Sequence, residues 1–220
     1  MRLLVIDTAL GLCTAGVFEN ERALAVRSEP MAKGHQERAP GLVRDVVAAT
    51  GGFERLERVG VTVGPGSFTG LRVGLAFALG VGAARDLTVV GVTTLDALAA
   101  STDAPKVAAL IDARRGQVYA RFFQDGLPLG PAEALGLEEA RTRLSALGSG
   151  VRLVGSGAAL FAETAPPERL HPLEGPAADA IARLAAAAEP SLSLARPLYL
   201  RAPDATPPSR LPGQPRPGRA

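Results

Sequence analysis

The chain has 220 residues, 47% of them apolar, enough to bury a core in one large domain or two small ones without disulfide or metal staples. Lys and Arg total 24 against 22 Asp and Glu, but Arg201, Arg210, Arg216 and Arg219 sit in the last stretch against Asp204 alone, which leaves a near-neutral body. A pI near 9.1 is therefore no nucleic-acid footprint, and 4% aromatic content without Trp argues against a row of base-stacking platforms.

Cys13 is the only cysteine, which excludes an internal disulfide and any multi-cysteine metal site. His35 and His171, the only histidines, are far apart, so the H-x-x-x-H spacing of a helical metal pair is missing. The opening apolar run, Leu3 to Ile6, ends at Asp7 and is too short for a secretory signal; a cytoplasmic protein with no metal is expected.

Leu3 to Ile6 reads as a buried strand and Thr14 to Phe18 as its hairpin partner after a turn that begins at Asp7. Ala39, Leu42, Val43, Val46 and Val47 have helical spacing, with Pro40 marking the start and Gly51-Gly52 the end. Val59 to Val63 is the next strand. It runs into Gly64-Pro65-Gly66-Ser67-Phe68-Thr69-Gly70-Leu71-Arg72-Val73-Gly74, which opens a second helix. Leu87 to Val92 follows as a strand, and Thr93 with Asp96 forms a capping box for a short helix. Ser101 to Pro105 marks a boundary between a half at 1–103 and a half at 104–202. In the second half, Val107 to Ile111, Asp112, a turn and Val118 to Phe123 repeat the opening plan, down to the Ile-Asp strand end and a following Phe. A helix over 137–147, a strand over 151–154, the turn Gly155-Ser156-Gly157 and an Ala-rich helix over 177–188 complete it. The Pro/Arg-rich tail, 203–220, has too few apolar side chains to order itself.

The glycine-rich block is neither a Walker loop nor a dinucleotide fingerprint, since Gly-Lys-Ser/Thr is absent and Pro65 interrupts G-x-G-x-x-G. Ser67 or Thr69 capping the helix is favoured over anion binding. Within that helix Gly70, Gly74, Ala78 and Gly82 recur every four residues, and Leu71, Leu75 and Leu79 form an apolar stripe beside them. Interior glycines cost about 0.5–1 kcal/mol each relative to alanine, so the row implies close packing. Both a neighbouring helix of the same domain and another subunit satisfy it. Asp7-Thr8 at the first strand end is suited to a phosphate-bound cation, but the turn after it is apolar, and an Asp that caps its own turn is the simpler reading. Cys13 reads as core, His35 as a cap or surface residue.

The blocks Leu4-Val5-Ile6-Asp7-Thr8-Ala9, Gly34-His35 with Glu37, Gly64 to Gly74, Thr94-Leu95, Asp112-Ala113-Arg114-Arg115-Gly116-Gln117-Val118-Tyr119, and Pro197 with Tyr199-Leu200-Arg201 resemble the TsaB (YeaZ) family of the actin-like ATPase superfamily. The resemblance implies an α/β fold of two similar actin-like, ribonuclease H-like halves, each a mixed sheet flanked by helices. It implies a non-catalytic subunit that works with TsaD and the ATPase TsaE to place threonylcarbamoyl on the adenosine beside the anticodon, in tRNAs reading codons that start with A. TsaD would carry the metal pair missing here, and tRNA would be reached only through the complex. The two helices after the first hairpin would pair with TsaD, or with a second copy of the chain when it is alone, through Leu42, Val43, Val46, Gly70, Leu71, Gly74, Leu75, Ala78 and Gly82. A vestigial nucleotide site would involve Asp7, Thr8, Asp112 and Gly155. The competing reading is an autonomous Mg-ATP phosphotransferase or ATPase using Asp7 and Asp112; a peptidase has no nucleophile–base motif to support it.

Overall fold

The computed structural model describes residues 1–201; the expected tail at 203–220 lies outside the described residues. The elements of the first lobe are β1 (Arg2–Asp7), β2 (Leu12–Glu19), β3 (Arg22–Pro30), α1 (His35–Ala48), β4 (Arg58–Gly64), α2 (Phe68–Arg85), β5 (Thr88–Thr93) and α3 (Thr94–Ala99). The rest comprises β6 (Lys106–Asp112), β7 (Gln117–Gln124), β8 (Leu127–Pro128), β9 (Glu133–Gly136), α4 (Leu137–Leu147), β10 (Arg152–Val154), β11 (Leu170–His171) and α5 (Ala178–Ala187).

Two mixed sheets share one topology. The first runs β3-β2-β1-β4-β5, antiparallel from β1 to β3 and parallel from β1 to β5. The second runs β11-β10-β6-β7-β8, with β9 also on β7, antiparallel on the β7 side and parallel on the β10 side. The repeated Ile-Asp hairpins are thus equivalent: Asp7 sits opposite Thr14 and Asp112 opposite Val118 at the two strand ends. Gly64, the last residue of β4, and Gly155, the residue after the equivalent strand β10, both take positive φ, 109° and 105°, where an L side chain is strained.

The layers follow from strand alternation. Leu4, Ile6, Val59 and Val61 face α1 and α2, whereas Leu3, Val5, Val90 and Val92 face α5. Leu95 and Leu98 of α3 pack on Val107, Ala109 and Ile111 of β6, which joins the lobes through apolar contact. Helix α5 lies against the first sheet, with Ile181 and Ala185 buried there. Arg58 donates to the carbonyls of Ala185, Ala186 and Ala188 at its C-terminal end. Beyond it the chain returns along β5, where the Gly91 N–H donates to the Ser193 carbonyl at 2.8 Å, and then reaches the end of β4, where the Leu198 N–H donates to the Val63 carbonyl at 2.7 Å.

Three local features differ from the sequence expectation. The first turn is shorter, because β2 starts at Leu12, and Gly11 is clamped by its N–H bond to the Glu174 carbonyl at 2.8 Å. Helix α1 starts at His35, with Pro40 inside it: Gly34, at φ 91°, turns the chain and accepts from the N–H groups of Glu37 and Arg38. Pro40, which has no N–H, deprives only the carbonyl of the exposed Gln36 of its helical donor. Edge strand β3 is an addition to the elements expected: its apolar run, Ala23 to Val26, is short, set between charged residues and at most half-buried.

Candidate functional site

Helices α1 and α2 pack side by side on one face of the first sheet. Ser67 caps α2, its hydroxyl accepting from the Gly70 N–H at 3.3 Å, and this is the capping expected of the glycine-rich block.

The four-spaced row of small residues faces inward. A Cβ at Gly70 would lie 2.1 Å from the Thr8 carbonyl oxygen, one at Gly74 2.4 Å from Thr8 Oγ1, and one at Gly82 2.4 Å from Val89. The Thr8 hydroxyl donates to the Gly70 carbonyl at 2.7 Å, so α2 is seated directly on the end of β1. The sequence-derived contact set therefore needs correcting. Leu42, Val43, Val46, Leu71, Leu75 and Ala78 are at most 5% exposed, and with Gly70, Gly74 and Gly82 they are buried in the chain's own core. The glycines serve helix–sheet packing, and no foreign helix can reach them.

The outward face of α2 is a different set. Phe68, Thr69, Arg72, Ala76, Leu79, Gly80 and Ala83 are exposed and Val73 and Phe77 half-buried. Leu79 is 47% exposed and Phe68 48%. A Cβ at Gly80 would meet nothing within 4 Å, so among the described residues this glycine has no packing reason. The helix is apolar on both sides, which for a surface helix signals a second covered face. The outer face of α1, by contrast, is polar, with Gln36, Glu37, Arg38, Arg44 and Asp45 exposed. Near the N-terminal end of α2, Arg72 stacks on Phe68 at 3.8 Å and donates to the Tyr199 hydroxyl, which docks the C-terminal strap on this end.

Between the lobes lies a cleft of about 470 Å³, lined by Ala9, Leu10, Gly11, Asp112, Arg114 and Glu174 among others. Of the four residues expected for a nucleotide, Asp112 lines it. The Asp112 carboxylate accepts from the Arg114 N–H at 2.7 Å and pairs with its guanidinium at 3.2 Å. Asp7 is fully buried. Its Oδ1 accepts from the Thr62 hydroxyl at 2.5 Å and from the Ala9 N–H at 3.0 Å, while Oδ2 has no partner. Burial is the largest influence on this carboxyl and holds its pKa above the ordinary value; the Thr62 and Ala9 hydrogen bonds and the His35 imidazole oppose it. Thr8 is spent on Gly70, and Gly155 packs behind the cleft, where a Cβ would lie 2.5 Å from the Leu110 carbonyl. The two aspartates are thus not brought to one accessible site. The carboxylates of Asp112 and Glu174 and the apolar first turn also disfavour a polyphosphate.

His35 is buried, not a surface residue: it is 7% exposed at the first turn of α1, with Nε2 unpartnered. Cys13 is core, as expected, and burial together with the Asp7 carboxylate pushes its thiol up to about 11. Among the described residues no three His, Cys, Asp or Glu side chains are grouped to hold a metal, and no helix is long and apolar enough to cross a membrane.

Residues 26–126 match the family model of TsaD, tRNA N6-adenosine threonylcarbamoyltransferase. The tRNA threonylcarbamoyladenosine biosynthesis protein TsaB of Escherichia coli is 33% identical over 129 residues, 56% of this chain and 55% of that protein. An uncharacterized protein of Mycobacterium tuberculosis is 35% identical over 214 residues, 93% of this chain and 94% of its own length. The solved structure of YeaZ from Pseudomonas aeruginosa superimposes with a TM-score of 0.77 at 27% identity, over 90% of this chain and 99% of that one. The chain belongs to the TsaB (YeaZ) family. The two similar halves of the fold agree with that membership and with the actin-like superfamily. The chain spans about half the length of the TsaB of Escherichia coli that it matches.

The sequence expectation did not single out the outward residues Phe68, Ala76 and Gly80, and it placed Leu79 in one stripe with Leu71 and Leu75, which the fold buries. The signal was present: residues 68–85 carry only Arg72 and Arg85 as charges, so no polar face exists to turn to solvent.

Proposed function

We propose that this chain is a non-catalytic scaffold for a TsaD-like catalytic subunit in making threonylcarbamoyladenosine beside the anticodon of tRNA in the cytoplasm. The observation that carries the reading is the outer face of α2, with Leu79 and Phe68 exposed and Gly80 open. Close helix–helix approach over Ala76, Gly80 and Ala83 would bury this face in a partner of the same superfamily, with α1 supplying a polar rim. The TsaB relative named for this biosynthesis and the TsaD family model over 26–126 support the pathway. In the isolated chain a second copy takes the partner's place. A TsaE-like ATPase acts on the assembled pair, and tRNA is held through the pair.

The sealed Asp7 carboxyl supports assigning no nucleotide chemistry to this chain. Catalysis then belongs to the partner, which supplies the metal and the reacting groups, while this chain holds the partner's fold in position.

The test is complementation in cells depleted of the chain, read as threonylcarbamoyladenosine in digested tRNA. The parent chain restores the nucleoside, and Ala76→Arg, folded by circular dichroism, does not. Full restoration by Ala76→Arg contradicts the reading.

A further inference from the structure

The second lobe holds a cavity of about 370 Å³ between α4, β10 and the chain after β10. Its origin is topological. In the first lobe the equivalent space beside α1 is filled by α2, whereas after β10 the chain makes only a one-turn 3-10 helix, Ala158–Phe161. The face beside α4 is left partly open.

The lining is chemically one-sided. Among the described residues Arg141 and Arg169 are its only charged members, and no carboxylate lines it. The Nε of Arg141 is buried without an acceptor, while the far end of its guanidinium pairs with exposed Glu138. Arg169 is anchored by its Nε donating to the Val151 carbonyl at 2.8 Å, and among the described residues no carboxylate pairs with it. The hydroxyls of Ser145 and Thr164 donate to the backbone carbonyls of Arg141 and Phe161. That leaves the arginines, with Ser149 at the rim, as the groups presented to a ligand. Leu144, Leu153 and Phe161 form an apolar floor.

Arg169 presents a charge with no carboxylate beside it among the described residues, and the buried Arg141 Nε–H without an acceptor carries a desolvation penalty. One oxyanion removes both defects, because a guanidinium matches the paired oxygens of carboxylate or phosphate. The apolar floor adds a requirement that a bare ion does not meet, and the volume admits a small-molecule ligand.

We infer that this cavity binds a small amphipathic anion, a carboxylate or phosphate head held by Arg141 and Arg169 on an apolar, ring-sized body. None of its lining residues belongs to α1 or α2, so the site stands apart from the scaffold surface.

The experiment titrates the full chain with phenyl phosphate, benzoate, inorganic phosphate and benzyl alcohol, by calorimetry and by NMR shifts. Phenyl phosphate or benzoate should bind at millimolar or lower concentration with shifts at Leu153, Phe161 and Thr164, and the tighter of the two identifies the head group. Arg141→Gln should weaken that binding about tenfold or more, since it removes a charge-assisted donor from the cavity lining. Ser149→Trp, which alters only an exposed rim position, should block entry while the melting curve stays that of the parent. The inference is overturned if neither organic anion binds, or if both variants bind like the parent. It is equally overturned if inorganic phosphate or benzyl alcohol binds as tightly as the organic anions.

Discussion

The two lobes are built on one strand plan but cover their sheets differently. After β4 comes an 18-residue helix; after β10, behind an equivalent positive-φ glycine, comes a 3-10 turn of four residues. The second lobe still buries Leu110, Val118, Leu153 and Phe161 completely. Burying the core side chains of such a sheet therefore does not require a long helix with two apolar faces. The surplus in α2 is its outer side, and the scaffold role rests on that surplus.

The largest effect is expected on the inner side: Gly70→Val drives a side chain into the Thr8 backbone carbonyl and should lower unfolding free energy by about 3 kcal/mol in urea titration. On the outer side, Leu79→Asp should weaken association with a TsaD-like subunit by about 2 kcal/mol while the monomer changes by less than about 0.5 kcal/mol. Calorimetry and monomer melts separate the two. Equal losses of fold from both substitutions would erase the distinction between the faces.

Asp7 gives the pH arm. Its folded pKa is raised by burial, so the folded state binds this proton more tightly than the unfolded chain does. The resulting stability is fully present below the ordinary carboxylate value of 3.8 and is lost as pH rises through the folded value. Asp7→Asn keeps the acceptor for Thr62 and Ala9 but cannot ionise. Whatever its offset at pH 4, the stability difference should move in favour of the variant as pH climbs to 7. A constant difference would mean that Asp7 is not sealed. The smallest effect is Gly80→Ala, which should stabilise the monomer by about 0.5–1 kcal/mol, because the new methyl meets no neighbour.

Much of the fold was legible because apolar runs ended at recognisable punctuation. Leu3 to Ile6, Val59 to Val63 and Val107 to Ile111 all lie in strands, and α4 occupies the expected span at 137–147. The Thr93 cap was legible in part: its hydroxyl accepts from the Asp96 N–H, but the Asp96 carboxylate leaves the box to pair with Arg121 at 2.6 Å. That contact comes from another lobe and has no local signature. The facing of α2 was illegible for a different reason. Gly70, Gly74, Ala78 and Gly82 on one side and Ala76, Gly80 and Ala83 on the other are both small-residue rows, and spacing alone does not say which one meets the sheet. The end of β1 decides it, by placing Thr8 against Gly70 and Gly74. His35 was misplaced because α1 begins before Pro40, so the residue falls under the helix instead of ahead of it.

Gly80→Arg, measured twice, separates a partner-facing side of α2 from a solvent-facing one. Arginine is the better helix former and finds open space here, so the monomer should melt about 2–4 °C higher. The same substitution puts a charged side chain into the proposed contact, so co-purification with a TsaD-like subunit should be lost. A variant that destabilises the monomer, or that keeps its partner, contradicts the assignment of this face.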